Sequence, residues 1–333
     1  MPSPGAATRI LHVANGTCTT RLIGAAGLPG VTSIWADPLY DGPVPGGLTD
    51  DELVEIRTRH LTGSDATLVD PVNDLRRWRA AIAAHGAYDE LVLWFEHDLF
   101  DQLNLLQLLP WIREQLPSSA TVSLVCIGSF PGHPAFKGLG ELAPHDLALL
   151  FDDRARVSHA QYALAARAWD AFRAPTPEAL DDLRHSDTKA LPFLAPAITR
   201  FLQEYPWTRD GLSRSERRLL ELAADGPVAL ATAFPRMADD GDVYHVTDLS
   251  MVDIAAALST ATLALLAYAP ADGDPAGPLG STVALTEIGA AVLAARVDRV
   301  AIAGIDRWLG GVHLHDGEVW RWDDRAQLVR RER

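Results

Sequence analysis

The stretch Leu91–Leu109, LVLWFEHDLFDQLNLLQLL, predicts a buried strand, an acidic turn and an amphipathic helix. The run LVLWF is short, continuous and apolar, as expected for a strand that is covered on both faces. The leucines after the turn recur at helical spacing and give the next segment a wide apolar face. The turn itself carries Glu96, His97 and Asp98, three polar side chains where the fold alone needs one.

Asp98 has two interpretations. An Asp directly before a helix accepts hydrogen bonds from the first-turn N–H groups, so Asp98 is suited to be an N-cap. Capping does not explain Glu96 or His97. It also does not explain Asp101 and Gln102, which stand three and four residues after Asp98 and could share its face of the helix. The surplus polar groups predict a site at this turn, with Glu96, His97 and Asp98 as catalytic groups and Gln102 as a substrate ligand.

Other apolar runs in the N-terminal part are also followed by polar turns. The runs are TRILHVANG (8–16), VTSIWA (31–36) and TVSLVCIG (121–128). Helical patterns separate successive runs, which predicts a mostly parallel sheet of the α/β class. Ligands bind beyond the carboxyl ends of the strands in open sheets of this kind. The polar clusters at these ends are 15–17, 37–43, 96–102 and 129–133.

The turns supply further candidate site residues. Asn15, Gly16 and Thr17 combine small polar groups with the backbone N–H groups of a helix start, a geometry suited to anions. The additional candidate catalytic carboxylates are Asp37 and Asp41. The additional candidate substrate ligands are His12, Gly42, Arg57 and Ser129.

Three of these residues have structural alternatives. Asp37 and Asp41 stand beside Pro and Gly, where Asp commonly forms turns. His12 lies inside the first apolar run, where a buried His hydrogen-bonded to backbone is the more common arrangement.

The length of 333 residues predicts more than one domain. We expect a Rossmann-like domain that carries the site at 1–145, a helical connector packed on it at 146–205, and a winged-helix-like α+β domain at 206–333. The spacing of Ser213 and Glu216 predicts a capping box at the start of the last domain. A Gly/Pro-rich hairpin is expected through 270–280. A C-terminal hairpin, VHLHDGEVWRWDD, is expected to turn at 315–317.

The charge of the chain argues against nucleic acid as a partner. The formal net charge is −15, which repels polyanions. The expected recognition helix, Thr247–Thr260, has no Lys or Arg, and none occurs between Arg236 and Arg296. The winged-helix-like domain is therefore expected to serve packing or homodimerisation.

The sequence also argues against membrane proteins, secreted proteins and proteins held together by disulfides or a Cys-based zinc site. No apolar run is long enough to cross a bilayer, and the N-terminus lacks the layout of a signal peptide, so we expect a cytoplasmic protein without a membrane partner. The two cysteines, Cys18 and Cys126, do not support a disulfide framework or a Cys-based zinc site.

Three sequence blocks resemble the bacterial family known as domain of unknown function 1835. The blocks are His12–Thr17 (HVANGT), Asp37–Pro43 (DPLYDGP) and Leu93–Leu103 (LWFEHDLFDQL), within roughly residues 8–130. The family's first block usually ends in Asn-Gly-Asp, whereas this chain has Thr17. Residues 285–289 and 306–314 are similar to the segment that follows this domain in actinobacterial members. The resemblance implies no particular activity.

Two hypotheses follow for the function. The first is an enzyme that acts on a small polar or anionic substrate by hydrolysis or group transfer. In its metal-dependent version, Glu96, His97 and Asp98 hold Mg²⁺ or Mn²⁺. The chain has no Gly-x-Ser-x-Gly elbow, which argues against a serine hydrolase. The alternative is a ligand-sensing transcription regulator or scaffold that uses the winged-helix-like domain.

Overall fold

The computed structural model describes residues 9–63, 70–134, 136–237, 247–260, 263–271, 277–315, 317 and 319–332. The strands are β1 (Ile10–Ala14), β2 (Val31–Ile34), β3 (Gly42–Pro43), β4 (Glu90–Glu96), β5 (Val122–Ile127), β6 (Ala155–Arg156), β7 (Val228–Ala229), β8 (Leu266–Ala269), β9 (Thr282–Leu285), β10 (Asp306–Gly310), β11 (Val312–His315), β12 (Val319–Asp323) and β13 (Leu328–Glu332). The α-helices are α1 (Thr17–Ala25), α2 (Asp50–Gly63), α3 (Pro71–Ala83), α4 (Leu99–Gln115), α5 (Pro144–Asp152), α6 (His159–Phe172), α7 (Glu178–Arg184), α8 (Leu194–Leu202), α9 (Arg214–Leu222), α10 (Leu230–Ala233), α11 (Asp248–Thr260), α12 (Glu287–Leu293) and α13 (Arg299–Ala303). None of these described helices has both the length and the apolar character needed to span a membrane.

The chain forms two compact units that interleave along the sequence. The first unit consists of Met1–Tyr40, Asp70–Phe172 and Leu183–Ala197. The second consists of Asp41–Val69, Arg173–Asp182 and Ile198–Arg333. The contiguous division of the chain at 145 and 205 stays a prediction.

The first unit is built on a five-stranded sheet in the order β2-β1-β4-β5-β6. The pairs β1–β2, β1–β4 and β4–β5 are parallel, and β6 alone is antiparallel to its neighbour β5. The predicted mostly parallel sheet and the α/β class are therefore confirmed. The carboxyl ends of β1 and β4 lie side by side, because Ala14 is in register with Trp94.

Both faces of the central strand β4 are covered. Val92 and Trp94 belong to one buried cluster with Ile23 of α1 and Leu147 of α5. Their neighbours along the strand point to the opposite face and are buried as well. This double burial explains why the run LVLWF is continuously apolar rather than alternating.

The second unit contains small sheets. In the described part of the chain these are β7-β9-β8 and β12-β13, both antiparallel, and β11-β10-β3. In the last of them β10 is antiparallel to β11 and parallel to β3. The predicted capping box is confirmed, because Ser213 Oγ accepts from the backbone N–H of Glu216 and a Glu216 carboxylate oxygen accepts from the N–H of Ser213.

The predicted C-terminal hairpin is wrong in its pairing. The two halves of VHLHDGEVWRWDD lie in different sheets, since β11 pairs with β10 and β12 pairs with β13. The β10–β11 turn uses Gly310 at φ 59°, and the chain turns again before β13 with Gln327 at φ 54°. Each of these turns closes a hairpin between strands that are consecutive in the sequence. Asp316 of the expected turn and residues 272–276 of the expected 270–280 hairpin lie outside the described residues.

Candidate functional site

Asn15 follows β1 and joins two carboxyl groups at the carboxyl edge of the sheet. Its Nδ2 donates to Glu96 Oε1 at 3.2 Å and to Asp101 Oδ2 at 2.9 Å. Its Oδ1 accepts from Thr19 Oγ1 at 2.8 Å. Both amide hydrogens and the amide oxygen are used, so Asn15 fixes the positions of the two carboxyl groups relative to α1.

Glu96 is the last residue of β4, and its side chain is 5% exposed. Its Oε1 also accepts from the backbone N–H of Leu139 at 2.6 Å. A Cβ atom at Gly138 would lie 2.3 Å from Glu96 Oε2, so only glycine lets the loop approach this carboxyl group. Burial and the nearby charge of Asp98 raise the pKa of Glu96 to about 8. The group therefore holds a proton at neutral pH.

Asp101, in the first turn of α4, is fully buried. Its Oδ2 accepts from the backbone N–H of Glu96 at 2.6 Å. Its Oδ1 is buried and has no hydrogen-bond partner among the described residues. Burial, together with the charges of Asp98 and Glu96, raises the pKa of Asp101 well above its usual value. Burial and the neighbouring charges thus favour the protonated form of this second carboxyl group.

Asp98 is the N-cap of α4, as one of its two interpretations predicted. Its Oδ1 accepts from the backbone N–H of Asp101 at 2.8 Å. Burial raises the pKa of Asp98 to about 6, although first-turn N–H groups stabilise its charged form. Capping and proton transfer are compatible, because a cap uses lone pairs that an ionised carboxylate has in excess.

His97 lies between two phenyl rings. Its ring centroid is 6.2 Å from that of Phe136 and 6.0 Å from that of Phe193. Its Nδ1 is buried without a hydrogen-bond partner among the described residues, and burial lowers the pKa of the ring. Burial thus favours the neutral form of the imidazole, and its Nδ1 makes no hydrogen bond to a described residue.

The N-terminus of α1 adjoins Asn15. Gly16 is the N-cap, and no side chain caps the helix. Thr17 and Cys18 in the first turn are exposed. A helix start of this kind presents N–H groups and the positive end of the helix dipole, which favour an anionic group.

His12 is enclosed in the sheet. Its Nδ1 accepts from Trp94 Nε1 at 3.1 Å, and its Nε2 lies 3.1 Å from the carbonyl oxygen of Pro29. Both ring nitrogens are occupied, which matches the structural alternative and leaves neither for a substrate. Burial lowers the pKa of His12, consistent with a neutral ring whose Nε2 donates to Pro29.

Asp37, Gln102 and Ser129 take different positions in the first unit. Asp37 is 2% exposed, and its backbone N–H and carbonyl are bonded to the side-chain amide of Asn104. Gln102 Nε2 donates to the backbone carbonyl of Glu96 at 2.6 Å. Ser129 is exposed after β5.

Three other predicted residues belong to the second unit. Arg57 is buried, and its Nη1 donates to the backbone carbonyl of Asp41 at 2.6 Å. The carboxylate of Asp41 lies 3.1 Å from His60 Nε2. Gly42 has φ +79°, and a Cβ atom there would lie 2.3 Å from the His60 ring. Asp41, Gly42 and Arg57 thus form one cluster around His60, a residue that the sequence pattern did not single out.

Sequence reasoning missed Asn104, Gly138 and Leu139. A signal for Asn104 existed, because α4 carries Asp101, Asn104 and Gln107 at three-residue spacing in an otherwise apolar helix. All three are buried. No local signal identifies Gly138 or Leu139, which reach Glu96 from more than forty residues away in sequence.

The residues at the turn do not fit the metal-dependent version of the prediction. Among the described residues, no group of three or more His, Cys, Asp and Glu side chains is arranged to hold a metal ion. The oxygens Glu96 Oε1 and Asp98 Oδ1 already accept backbone N–H bonds.

Neither a protein-family model nor a curated protein sequence matches this chain. The resemblance to the domain of unknown function 1835 family stays a prediction.

Proposed function

We propose that the first unit is a Rossmann-like enzyme domain that acts on a small polar or anionic substrate by hydrolysis or group transfer. The observation that carries the proposal is the pair Glu96 and Asp98, whose pKa values of about 8 and about 6 lie on either side of neutrality. Neighbouring carboxyl groups whose surroundings separate their pKa values are the usual acid and base of an active site.

The protonation states assign the roles. Near pH 7 Glu96 carries a proton and is suited to be the general acid, whereas Asp98 is mostly ionised and is suited to be the general base. Asp98 and His97 are partly exposed, so a substrate can approach them from solvent. Asn15 acts as a positioning residue, because it holds Glu96 through Oε1.

The start of α1 supplies the binding contribution. A phosphate or carboxylate group of the substrate at Gly16 and Thr17 accepts from first-turn N–H groups and complements the helix dipole. The group is then next to Asn15, which contacts Glu96 and Asp101. An anionic substrate also fits the protonated state of Glu96, since additional negative charge there opposes binding.

The second unit is assigned a structural role. The order of α9, α11, β8, β9 and α12 agrees with a winged-helix-like arrangement. The helix α11 contains no Lys or Arg, although phosphate contacts to DNA require them. We therefore assign this part of the chain to packing between copies rather than to a transcription regulator.

The experiment measures turnover and stability on the same variants. The full chain is assayed with p-nitrophenyl phosphate, a phosphodiester and an acetate ester, and binding of inorganic phosphate is measured by calorimetry. The variants are Glu96→Gln and Asp98→Asn, and the matched control is Glu114→Gln on the exposed surface of α4. We expect both site variants to lose about 100-fold or more of the turnover. Melting temperatures should change little in Asp98→Asn, because Asn caps a helix about as well as Asp.

Two outcomes contradict the proposal. The first is full activity in Glu96→Gln and Asp98→Asn. The second is an absence of turnover for every ester together with an absence of phosphate binding.

A further inference from the structure

A cavity of about 240 Å³ lies in the first unit beside β5. It adjoins the face of the sheet opposite to the face that carries the Glu96 side chain. Leu124, Cys126, Leu191 and Phe193 form apolar parts of its wall. The lining also includes Ala155, Ala190 and Pro192, and none of the lining side chains carries a formal charge. A cavity of this composition favours a neutral, largely apolar ligand.

Gln102 lines the cavity and is 2% exposed. Its Nε2 is used, since it donates to the backbone carbonyl of Glu96 at 2.6 Å and lies 3.5 Å from Cys126 Sγ. No described residue donates to its Oε1. This oxygen is therefore the hydrogen-bonding group that Gln102 can offer to a ligand in the cavity.

Gln161 supplies the complementary group on the cavity wall. Its Oε1 accepts from the backbone N–H and the Oγ of Ser158, at 2.8 Å and 2.9 Å, and so caps the start of α6. Its Nε2 has no acceptor among the described residues. The cap fixes the orientation of the Gln161 amide. The lining therefore carries one unused donor, Gln161 Nε2, and one unused acceptor, Gln102 Oε1.

We propose that this cavity binds a small, neutral, planar ligand with adjacent N–H and C=O groups, such as a lactam or the edge of a pyrimidine-type ring. The ligand N–H donates to Gln102 Oε1, and its carbonyl accepts from Gln161 Nε2. Phe193 supplies an aromatic surface for the ring. The groups that bind this ligand are not the acid–base groups Glu96 and Asp98, so the proposal does not depend on that function.

The test uses a matched pair of probes. Binding of 2-pyridone and of N-methyl-2-pyridone to the full chain is measured by ligand-detected NMR and calorimetry. The methyl group removes the N–H donor and keeps the ring and carbonyl. We expect 2-pyridone to bind, and N-methyl-2-pyridone to bind about tenfold more weakly or worse, because Gln102 Oε1 is then left without a donor.

The matched variants are Gln161→Glu and Gln115→Glu. The carboxylate introduced by the first variant keeps an oxygen that accepts from Ser158, so the cap and the melting temperature should be preserved. This carboxylate offers no amide donor, and 2-pyridone should bind about tenfold more weakly. The control Gln115→Glu adds the same charge at an exposed position of α4 and should bind like the wild type.

Three results overturn the proposal: no binding of 2-pyridone to the wild type, equal affinity for the two probes, or unchanged affinity in Gln161→Glu. Calorimetry with inorganic phosphate serves as a separate readout of the start of α1. Phosphate binding should be the same in Gln161→Glu and in the wild type, which distinguishes this site from the proposed active site.

Discussion

Asn15 Nδ2 donates to Asp101 Oδ2 at 2.9 Å and thereby links the turn after β1 to the first turn of α4. The bond pairs an amide donor with a carboxyl group whose pKa is raised by burial and by the charges of Asp98 and Glu96. The acid–base chemistry proposed for Glu96 thus depends on a residue that is unable to titrate.

Replacing Asn15 with Asp removes the amide that donates to Glu96 and adds a carboxyl group beside two others. We expect the free energy of unfolding to fall by ~2 kcal/mol at pH 7, because two buried acceptors lose their donor and the new carboxylate is partly buried. Urea unfolding measures the effect. The control Asn73→Asp, on α3, should change stability by much less, and an equal loss in both variants would contradict the role of Asn15.

The raised pKa of Glu96 predicts that the free energy of unfolding falls as the pH rises. Its pKa is raised from 4.5 to about 8, so between these values the folded state holds a proton that the unfolded state has released. Linkage then lowers the free energy of unfolding by up to about 1.4 kcal/mol per pH unit for this group. Urea unfolding from pH 6.5 to 8 should show a smaller slope in Glu96→Gln than in the wild type. Identical slopes would show that Glu96 does not hold the proton.

The lowered pKa of His12 predicts that the free energy of unfolding falls in acid. Its pKa is lowered by burial, so below about pH 6.5 the unfolded state binds a proton that the folded state does not. His12→Leu should cost ~3 kcal/mol at pH 7, because Trp94 Nε1 and the Pro29 carbonyl lose their partner. The difference from the wild type should shrink at pH 5. The exposed residue His145, changed to Leu, is the control, and a pH-independent penalty in His12→Leu would contradict the prediction.

Gly138→Ala tests the close approach of the loop to Glu96. The added Cβ atom would lie 2.3 Å from Glu96 Oε2, which the loop can relieve only by moving away. We expect a loss of ~1–3 kcal/mol in the free energy of unfolding and a lower pKa of Glu96 as water enters. At Gly140, in the same loop, the nearest atom is 3.5 Å from an added Cβ. Gly140→Ala should therefore be nearly neutral by thermal melting.

The features that the sequence predicted correctly depend on residues that are close together in the chain. The apolar run of β4, the helix that follows it and the capping position of Asp98 each depend on residues within a few positions, and the structure contains all three. The expected amphipathic character of α4 is wrong, because the helix is buried on nearly all sides from Leu99 to Ile112. The same holds for the capping box at Ser213.

The missed part is non-local. Gly138 and Leu139 reach Glu96 through chain folding, and their sequence surroundings resemble any Gly-rich loop. The C-terminal hairpin was wrong because the turns at Gly310 and before β13 pair the same strands differently, and only the packed structure selects among these turns. The contacts of Asp41 and Arg57 could not be predicted for the same reason, since the cluster around His60 forms only when α2 packs beside Asp41.

The pairing of β3 with β10 has a consequence for synthesis. Gly42 leaves the ribosome early, yet its strand partner is Leu309. The strand β3 is therefore translated long before β10 and stays without this partner while most of the chain is made. An unpaired strand edge can pair with other chains. Because β3 is only two residues long and contains Pro43, it offers other chains little to pair with during that time.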